Sequence, residues 1–267
     1  MGTTSKALTL LDYFTRAMPE IGLSDLARLA GVNKATCFRL MTELQDHDLI
    51  EQTVSKTYRI GPAVLRLAAL REATVPTRAA AMPVLQALAR ATGETAHMSH
   101  LVAGRLITLA FAYAPNHAIK VMMEDADVLP FHATSSGLAV LAHLSADQQD
   151  AILAQPRTGL TPQSLLETGS IKAEIATIAM RGWAETADTF EMGVASVAVP
   201  LFNGHAACIG AVAVAAPTTR LHGAVRAAII QSTIKAATDI IAVQGGAAPV
   251  AVQRMWQATL TQEGGTS

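Results

Sequence analysis

Three groups of side chains in this 267-residue chain have types and spacings suited to chemistry. The first is Lys34-Ala35-Thr36-Cys37-Phe38-Arg39, a short basic stretch in which no acid lies between Arg28 and Arg39. Cations beside hydroxyls suit phosphate oxygens and base edges. The second is Thr134-Ser135-Ser136-Gly137, which precedes the apolar run 138–144. Hydroxyls at a helix start lie beside free backbone N–H groups, a ready site for a carboxylate or other acceptor, and simple capping accounts for one of the three, not all. The third holds possible metal ligands: His97 and His100, and the acids Glu124, Asp125 and Asp127. On a strand, two histidines three residues apart point to opposite faces, so a shared metal is not expected. The acids have no histidine or cysteine beside them and read as a solvated loop. The chain contains no phosphate-binding P-loop, nucleophile elbow or zincin helix, so no catalysis, cofactor or metal is expected.

Elements must position these groups. Ser5 would cap a first helix carrying Ala7, Leu8, Leu11 and Phe14 and ending near Met18-Pro19. Ser24 would cap a second that stops at Gly31, and Asn33 a third that runs from Lys34 to about His47. In the third, Cys37, Leu40, Met41 and Leu44 recur at helical spacing and must face a core. Lys34, Thr36, Phe38, Arg39 and Thr42 then project elsewhere, and Cys37 is a small buried hydrophobe rather than a redox switch. Small Ala27 and the turn at Gly31 allow two helices to cross closely, the logic of a helix-turn-helix, and strands at 49–53 and 57–60 make it winged. The third helix would enter a major groove, with Lys34, Thr36 and Arg39 offered to bases and phosphates. Ser24, Lys56 and Arg59 would hold the backbone. A helical hairpin in an ordinary core is the plainer alternative.

Beyond residue 61 an all-round apolar helix at 62–73 must pack on something, and a second helix runs to about residue 91, with Pro83 as a kink or near its start. Strands are expected at 94–102, 105–113, 117–123, 194–202 and 207–216. Helices are expected near 134–143, 146–154, 168–181 and 223–243, which together imply an α+β unit built on an antiparallel sheet. The tail 246–267 reads as disordered, although 252–260 could form a helix.

The composition is 51% hydrophobic and 15% charged, with a net charge of −1, which excludes a disordered chain. Two distant cysteines, Cys37 and Cys208, cannot make a disulfide framework and suit a reducing compartment, so a cytoplasmic location is expected. The longest apolar run, 206–216, is shorter than the roughly 18–20 residues of a membrane span, so no membrane partner is expected. Low charge and abundant alanine leave apolar surface to be buried between subunits. The near-neutral total does not exclude nucleic acid, because the basic stretch at 28–39 is local. Few phosphate contacts per copy would call for a dimer or larger on a palindromic site.

Taken together, several stretches resemble the IclR family of bacterial transcriptional regulators over about residues 5–243. They are Leu26-Ala27-Arg28-Leu29-Ala30-Gly31, Tyr58-Arg59-Ile60-Gly61, Thr92-Gly93-Glu94-Thr95-Ala96-His97, Leu129-Pro130-x-His132-Ala133-Thr134, Arg181-Gly182-Trp183, Gly193-Val194-x-Ser196-Val197 and Pro217-x-x-Arg220-Leu221. The resemblance implies a winged helix-turn-helix at 1–61 and a helical dimerisation linker at 62–78. It also implies a GAF-like effector domain at 79–245, and homodimers or homotetramers on double-stranded operator DNA. Members that bind small 2-oxo acids usually carry Gly-Ala at the effector helix start, a facing aspartate and cysteine, and two late serines. The matching positions here are Ser135 and Ser136, Thr186, Ser196, and Ala213 and Ala215. With Val121, Leu129 and Val194 as apolar lining, the resemblance implies a small-molecule effector with one hydrogen-bonding end and an apolar or aromatic body, such as a carboxylic acid. An enzyme or a protein-interaction module built on the GAF-like domain is the alternative.

Overall fold

The structure is a computed structural model that describes residues 2–116, 119–124 and 127–261. It divides into two compact units, Met1–Pro76 and Thr77–Ser267.

In the first unit the order is α1 (Thr3–Leu11), β1 (Ile21–Gly22), α2 (Leu23–Leu29), α3 (Lys34–Asp46), β2 (Ile50–Gln52), β3 (Thr57–Ile60) and α4 (Ala63–Thr74). Leu10, Ile21, Leu26, Ala27, Cys37, Leu40, Met41, Leu44, Ile50 and Tyr58 form its core. The stripe on α3 therefore faces inward as its spacing requires. Asn33 caps α3 by accepting from the Thr36 N–H at 2.7 Å. Gly31 turns the chain between α2 and α3 with φ +63°, a conformation that glycine adopts without a Cβ penalty.

Two expected caps differ. Ser5 lies inside α1, whose N-cap is Gly2, and α1 stops at Leu11 because Asp12, Tyr13 and Phe14 donate to carbonyls three residues back and tighten the end. Ser24 is the second residue of α2 rather than its cap, because Gly22 occupies that position at the end of a strand the sequence did not disclose. β1 pairs antiparallel with β3, and β2 pairs with its other edge, giving the sheet order β1-β3-β2. α4 has no buried residue in this unit: Leu65 is 76% exposed and Leu70 56%.

The second unit contains α5 (Thr77–Thr92), β4 (Thr95–Val102), β5 (Arg105–Ala112), β6 (Val128–Leu129), α6 (Ser135–Leu141), α7 (Ala146–Leu153), α8 (Thr168–Arg181), β7 (Ala184–Ala187), β8 (Val194–Phe202), β9 (Cys208–Pro217), α9 (Gly223–Val243) and α10 (Val250–Thr261). Its sheet is antiparallel throughout, in the order β6-β5-β4-β9-β8-β7. Pro83 lies inside α5. Alternation sorts the two faces of the sheet. Met98, Val197, Val199, Val212 and Val214 pack with Leu85, Ile230 and Ile234 of α5 and α9 in one core. The opposite face carries small Ala198, Ala211 and Ala213, which pack with Leu138, Ile171 and Ile178 of α6 and α8. Small residues there let α6 approach the sheet closely. Gly137 lets α6 approach the preceding turn instead, since a Cβ at that position would lie 2.4 Å from the Cα of Phe131.

The strand expected at 117–123 does not form over 119–123, and residues 117 and 118 lie outside the described residues. Side chains supply the hydrogen bonds a neighbouring strand would have made. Thr95 Oγ1 donates to the Val121 carbonyl at 2.8 Å, and the Tyr113 hydroxyl accepts from Met123 N–H at 3.0 Å and bonds its carbonyl at 3.1 Å. In the tail the helical alternative forms over Val250–Thr261: α10 docks Val252 and Trp256 into the core, with residues 262–267 outside the description. Among the described residues no helix is long and apolar enough to cross a membrane.

Candidate functional site

In the first unit α3 divides its side chains cleanly. Cys37, Leu40, Met41 and Leu44 are buried, whereas Lys34, Phe38, Arg39 and Thr42 are exposed and Thr36 is half-buried. Phe38 is 54% exposed, and the Thr42 hydroxyl donates to the Phe38 carbonyl at 3.0 Å. The thiol of Cys37 is fully covered and burial pushes its pKa up, so it is an inert packing group. Ser24 is exposed on the first turn of α2. Lys56 stands at the wing tip with φ +64°. Arg59, expected to hold phosphate, is half exposed and ion-paired within the wing: its Nε meets Glu51 Oε1 at 2.5 Å and its Nη1 lies 3.8 Å from Glu20 Oε1. Sequence spacing could not show this, because β3 brings Arg59 opposite Glu51 only through strand register. Among the described residues, Lys34, Arg39 and Lys56 of this face have no ion pair with an acid, whereas Arg28 pairs with Asp25 and Arg59 with Glu51.

In the second unit a cavity of about 60 Å³ lies where the start of α6 meets the sheet. Val121, Leu129, Ser135, Ser136, Thr186, Val194, Ser196 and Ala215, named above from their flanking motifs, all line it. Ala213 does not. It is fully buried one alternation further along β9 and packs beneath α6. The hydroxyls are linked: Ser135 Oγ bonds Ser196 Oγ, and Thr186 Oγ1 lies 3.4 Å from the same atom. Thr134, the true N-cap of α6, accepts from the Gly137 N–H at 3.0 Å.

Thr134, one of the three hydroxyls at the α6 start, lines the cavity too, and so do Met122, Met123, Phe190 and Glu191, which sequence reasoning missed, and His97, which it weighed only as a metal ligand. A signal for His97 was present. Thr95, His97 and Ser99 form a polar row at period two, and all three are buried on the face of β4 opposite to that of Ala96 and Met98. His97 is 5% exposed, its Nε2 lies 3.4 Å from Ser136 Oγ, and its Nδ1 has no partner. Burial lowers its pKa to about 4, and does the same to His143, whose Nε2 is also unpartnered beside the Phe202 ring. Among the described residues no group of three or more His, Cys, Asp or Glu is placed to hold a metal ion. Glu124 and Asp127 lie within the description, whereas Asp125 of the acidic cluster falls outside it.

The two histidines set an acid limit on stability. An unfolded histidine takes a proton near pH 6.5, but these stay neutral when folded down to about pH 4, so the unfolded state binds more protons in between. Stability is complete above about pH 6.5 and falls as pH drops toward 4, by up to about 3 kcal/mol for His97 and less for the more accessible His143. Urea midpoints at pH 7 and pH 5 check this: His97→Gln is expected to lose less stability across that interval than the native chain.

Comparison with known proteins joins both sites in one context. Residues 3–54 match the IclR helix-turn-helix domain, and residues 70–242 match the bacterial transcriptional regulator IclR C-terminal domain. The chain is 27% identical over 234 residues to the HTH-type transcriptional regulator XynR of Escherichia coli K12, covering 83% of this chain and 88% of that one. It is 24% identical over 247 residues to the transcriptional repressor IclR of the same organism, covering 91% and 89%. A crystal structure described as an IclR transcriptional regulator of Silicibacter sp. TM1040 superposes with a TM-score of 0.90 and 49% identity over 94% of this chain and 99% of that one. An IclR homolog of Microbacterium hydrocarbonoxydans complexed with 4-hydroxybenzoate shares the fold at a TM-score of 0.71 and 21% identity, over 91% and 99%.

Proposed function

Because the chain belongs to the bacterial IclR family of transcriptional regulators, we propose that it represses or activates a catabolic operon in response to a small organic acid. Its relatives are regulators, not enzymes. The observation that carries the reading is the two-sidedness of α3, whose buried stripe leaves Lys34, Phe38, Arg39 and Thr42 presented together to a partner. Thr36 flanks them, while Ser24 and Lys56 supply backbone contacts. Arg59 positions the wing through Glu51 and Glu20 rather than touching phosphate.

With so few free cations per copy, the DNA is bound by at least two copies. The apolar side chains of α4, within the linker 62–78, are the surface on which a second copy docks, giving a homodimer or a pair of homodimers. The effector enters the cavity at the α6 start, its acid end among Ser135, Ser136 and Ser196 and its apolar body against Val121, Leu129 and Val194. A benzene-sized body needs about 150 Å³. An aromatic acid such as that bound by the Microbacterium homolog would therefore require the cavity, about 60 Å³, to enlarge.

An electrophoretic shift with the DNA beside the protein's own gene tests the reading. Specific retardation with a negative log K against log salt slope is expected, whereas a slope near zero or no shift rejects it. In the same assay Arg39→Ala is expected to weaken operator binding by about 1–3 kcal/mol. An unchanged affinity would remove Arg39 from base readout.

A further inference from the structure

The cavity contains five hydroxyl residues, Thr134, Ser135, Ser136, Thr186 and Ser196, and no lysine or arginine among its described lining residues. A carboxylate entering it leaves water for a wall of neutral dipoles, and Glu191 at the exposed rim opposes its charge further. Hydroxyls soften that loss but cannot neutralise an anion. One lining group can become a cation: His97, 95% covered, with Nδ1 bonded to nothing. An orphaned buried ring nitrogen is costly to retain and has use only if a ligand or a proton completes it.

We infer that His97 takes up a proton when a carboxylate enters the pocket, so that the effector is held as a buried imidazolium–carboxylate pair supported by Ser136. This rests on the effector-binding reading of the cavity. The proton comes from solvent; the neutral ring, which carries one N–H, gains a second, and no covalent bond to the ligand forms or breaks.

The surroundings favour charging only when the anion is present. In the free pocket burial holds the ring at a pKa of about 4, so it is neutral near pH 7. α6 and β8 carry no titratable side chain, and β9 contributes Cys208, whose thiol burial pushes up to about 12 and so keeps neutral. Just before β4, Glu94 is already bonded by Arg220; on β4 His100 lies outside the lining, and on β5 Arg105 sits at the far end of the strand from Phe111, the register partner of His97. In the covering segment, Lys120 lies 5.1 Å from the centre of the Tyr113 ring, and Glu124 is not among the lining residues. A desolvated carboxylate within about 4–6 Å raises a histidine pKa by about 1–3 units, which brings the bound complex into the pH 5–7 range.

Two acid–amide pairs of matched shape provide the test, propionate with propionamide and benzoate with benzamide. Titration calorimetry is run on the full chain at pH 5.5 in two buffers of different ionisation enthalpy, and affinities are then followed to pH 7.5. The expected result is a net proton uptake for the acid, approaching one where the pKa of the bound complex lies near 7, and none for the amide. Acid affinity should fall by up to tenfold per pH unit between pH 5.5 and the pKa of the bound complex and level off above it, while amide affinity stays flat. His97→Gln, which keeps hydrogen bonding but cannot charge, should abolish both the uptake and the slope. Acid binding with zero uptake overturns the proposal and leaves the acid-sensor reading standing; binding of the amides alone overturns the proposal and the acid as effector class, while the cavity remains a ligand site. Failure of all four probes at millimolar concentration, with operator binding intact, overturns the sensor reading and the proposal together.

Discussion

Replacing Trp256 with alanine is expected to destabilise the second unit by about 3–5 kcal/mol, the range for truncating a large buried aromatic. Trp256 is 4% exposed in α10, and its Nε1 donates to the Gly182 carbonyl at 2.7 Å, tying the C-terminal helix to the end of α8. Its ring lies 6.4 Å from that of Phe202, which is 1% exposed and also touches His143 edge-on. The substitution removes ring volume from a close-packed site and leaves the Gly182 carbonyl without its donor, so transfer, cavity and hydrogen-bond losses add. Urea unfolding followed by far-ultraviolet circular dichroism reads the change as a lower midpoint with an unchanged slope. A loss below about 1 kcal/mol would mean that α10 does not hold this position in solution.

Arg220→Ala is expected to cost about 3 kcal/mol and to loosen the wall of the pocket at the same time. The Arg220 guanidinium grips Glu94 with two bonds, Nε to Oε1 at 2.5 Å and Nη2 to Oε2 at 2.7 Å, and Nη2 also donates to the Ile119 carbonyl at 3.1 Å. Glu94 is 3% exposed, so removing its partner strands a carboxylate in the interior, the costly way to break an ion pair. The loss sits at the low end of the buried-pair range because the Arg220 side chain is 28% exposed. Adding Glu94→Gln to Arg220→Ala should recover part of the loss, since no unpaired charge then remains, and a double-mutant cycle measures that coupling. Faster amide exchange in Val121–Met123 is the second expected sign, because Ile119 loses its anchor while Thr95 and Tyr113 keep theirs. Unchanged exchange there would show that the arginine anchors Glu94 alone.

Where elements repeat a local grammar, their outline was legible. The Asn33 cap, the stripe of Cys37, Leu40, Met41 and Leu44, and the turn at Gly31 each follow from residues a few positions apart, so α3 and its exposed face could be read directly. The hydroxyl cluster ahead of α6 was legible for the same reason. Weak or two-residue elements were not. β1 is two residues long and exists only because β3 offers it an edge, and that pairing moved the start of α2 away from Ser24. The segment 119–123 has strand-like composition, yet Tyr113 and Thr95 reach its backbone before any strand can.

The sequence by itself determined an α+β chain with a winged helix-turn-helix, a basic face on its third helix and a hydroxyl-rich helix start facing apolar strands. Each of these depends on periodicity and capping within one or two turns. Tertiary structure alone decided which of those groups are free to act. Arg59 is ion-paired with Glu51 and Glu20, His97 meets Ser136 through Nε2 and leaves Nδ1 without a partner, and Ala213 drops out of the pocket wall. The physical reason is that charge state and burial are set by partners brought close through space, as with Arg220 and Glu94, 126 residues apart in the chain.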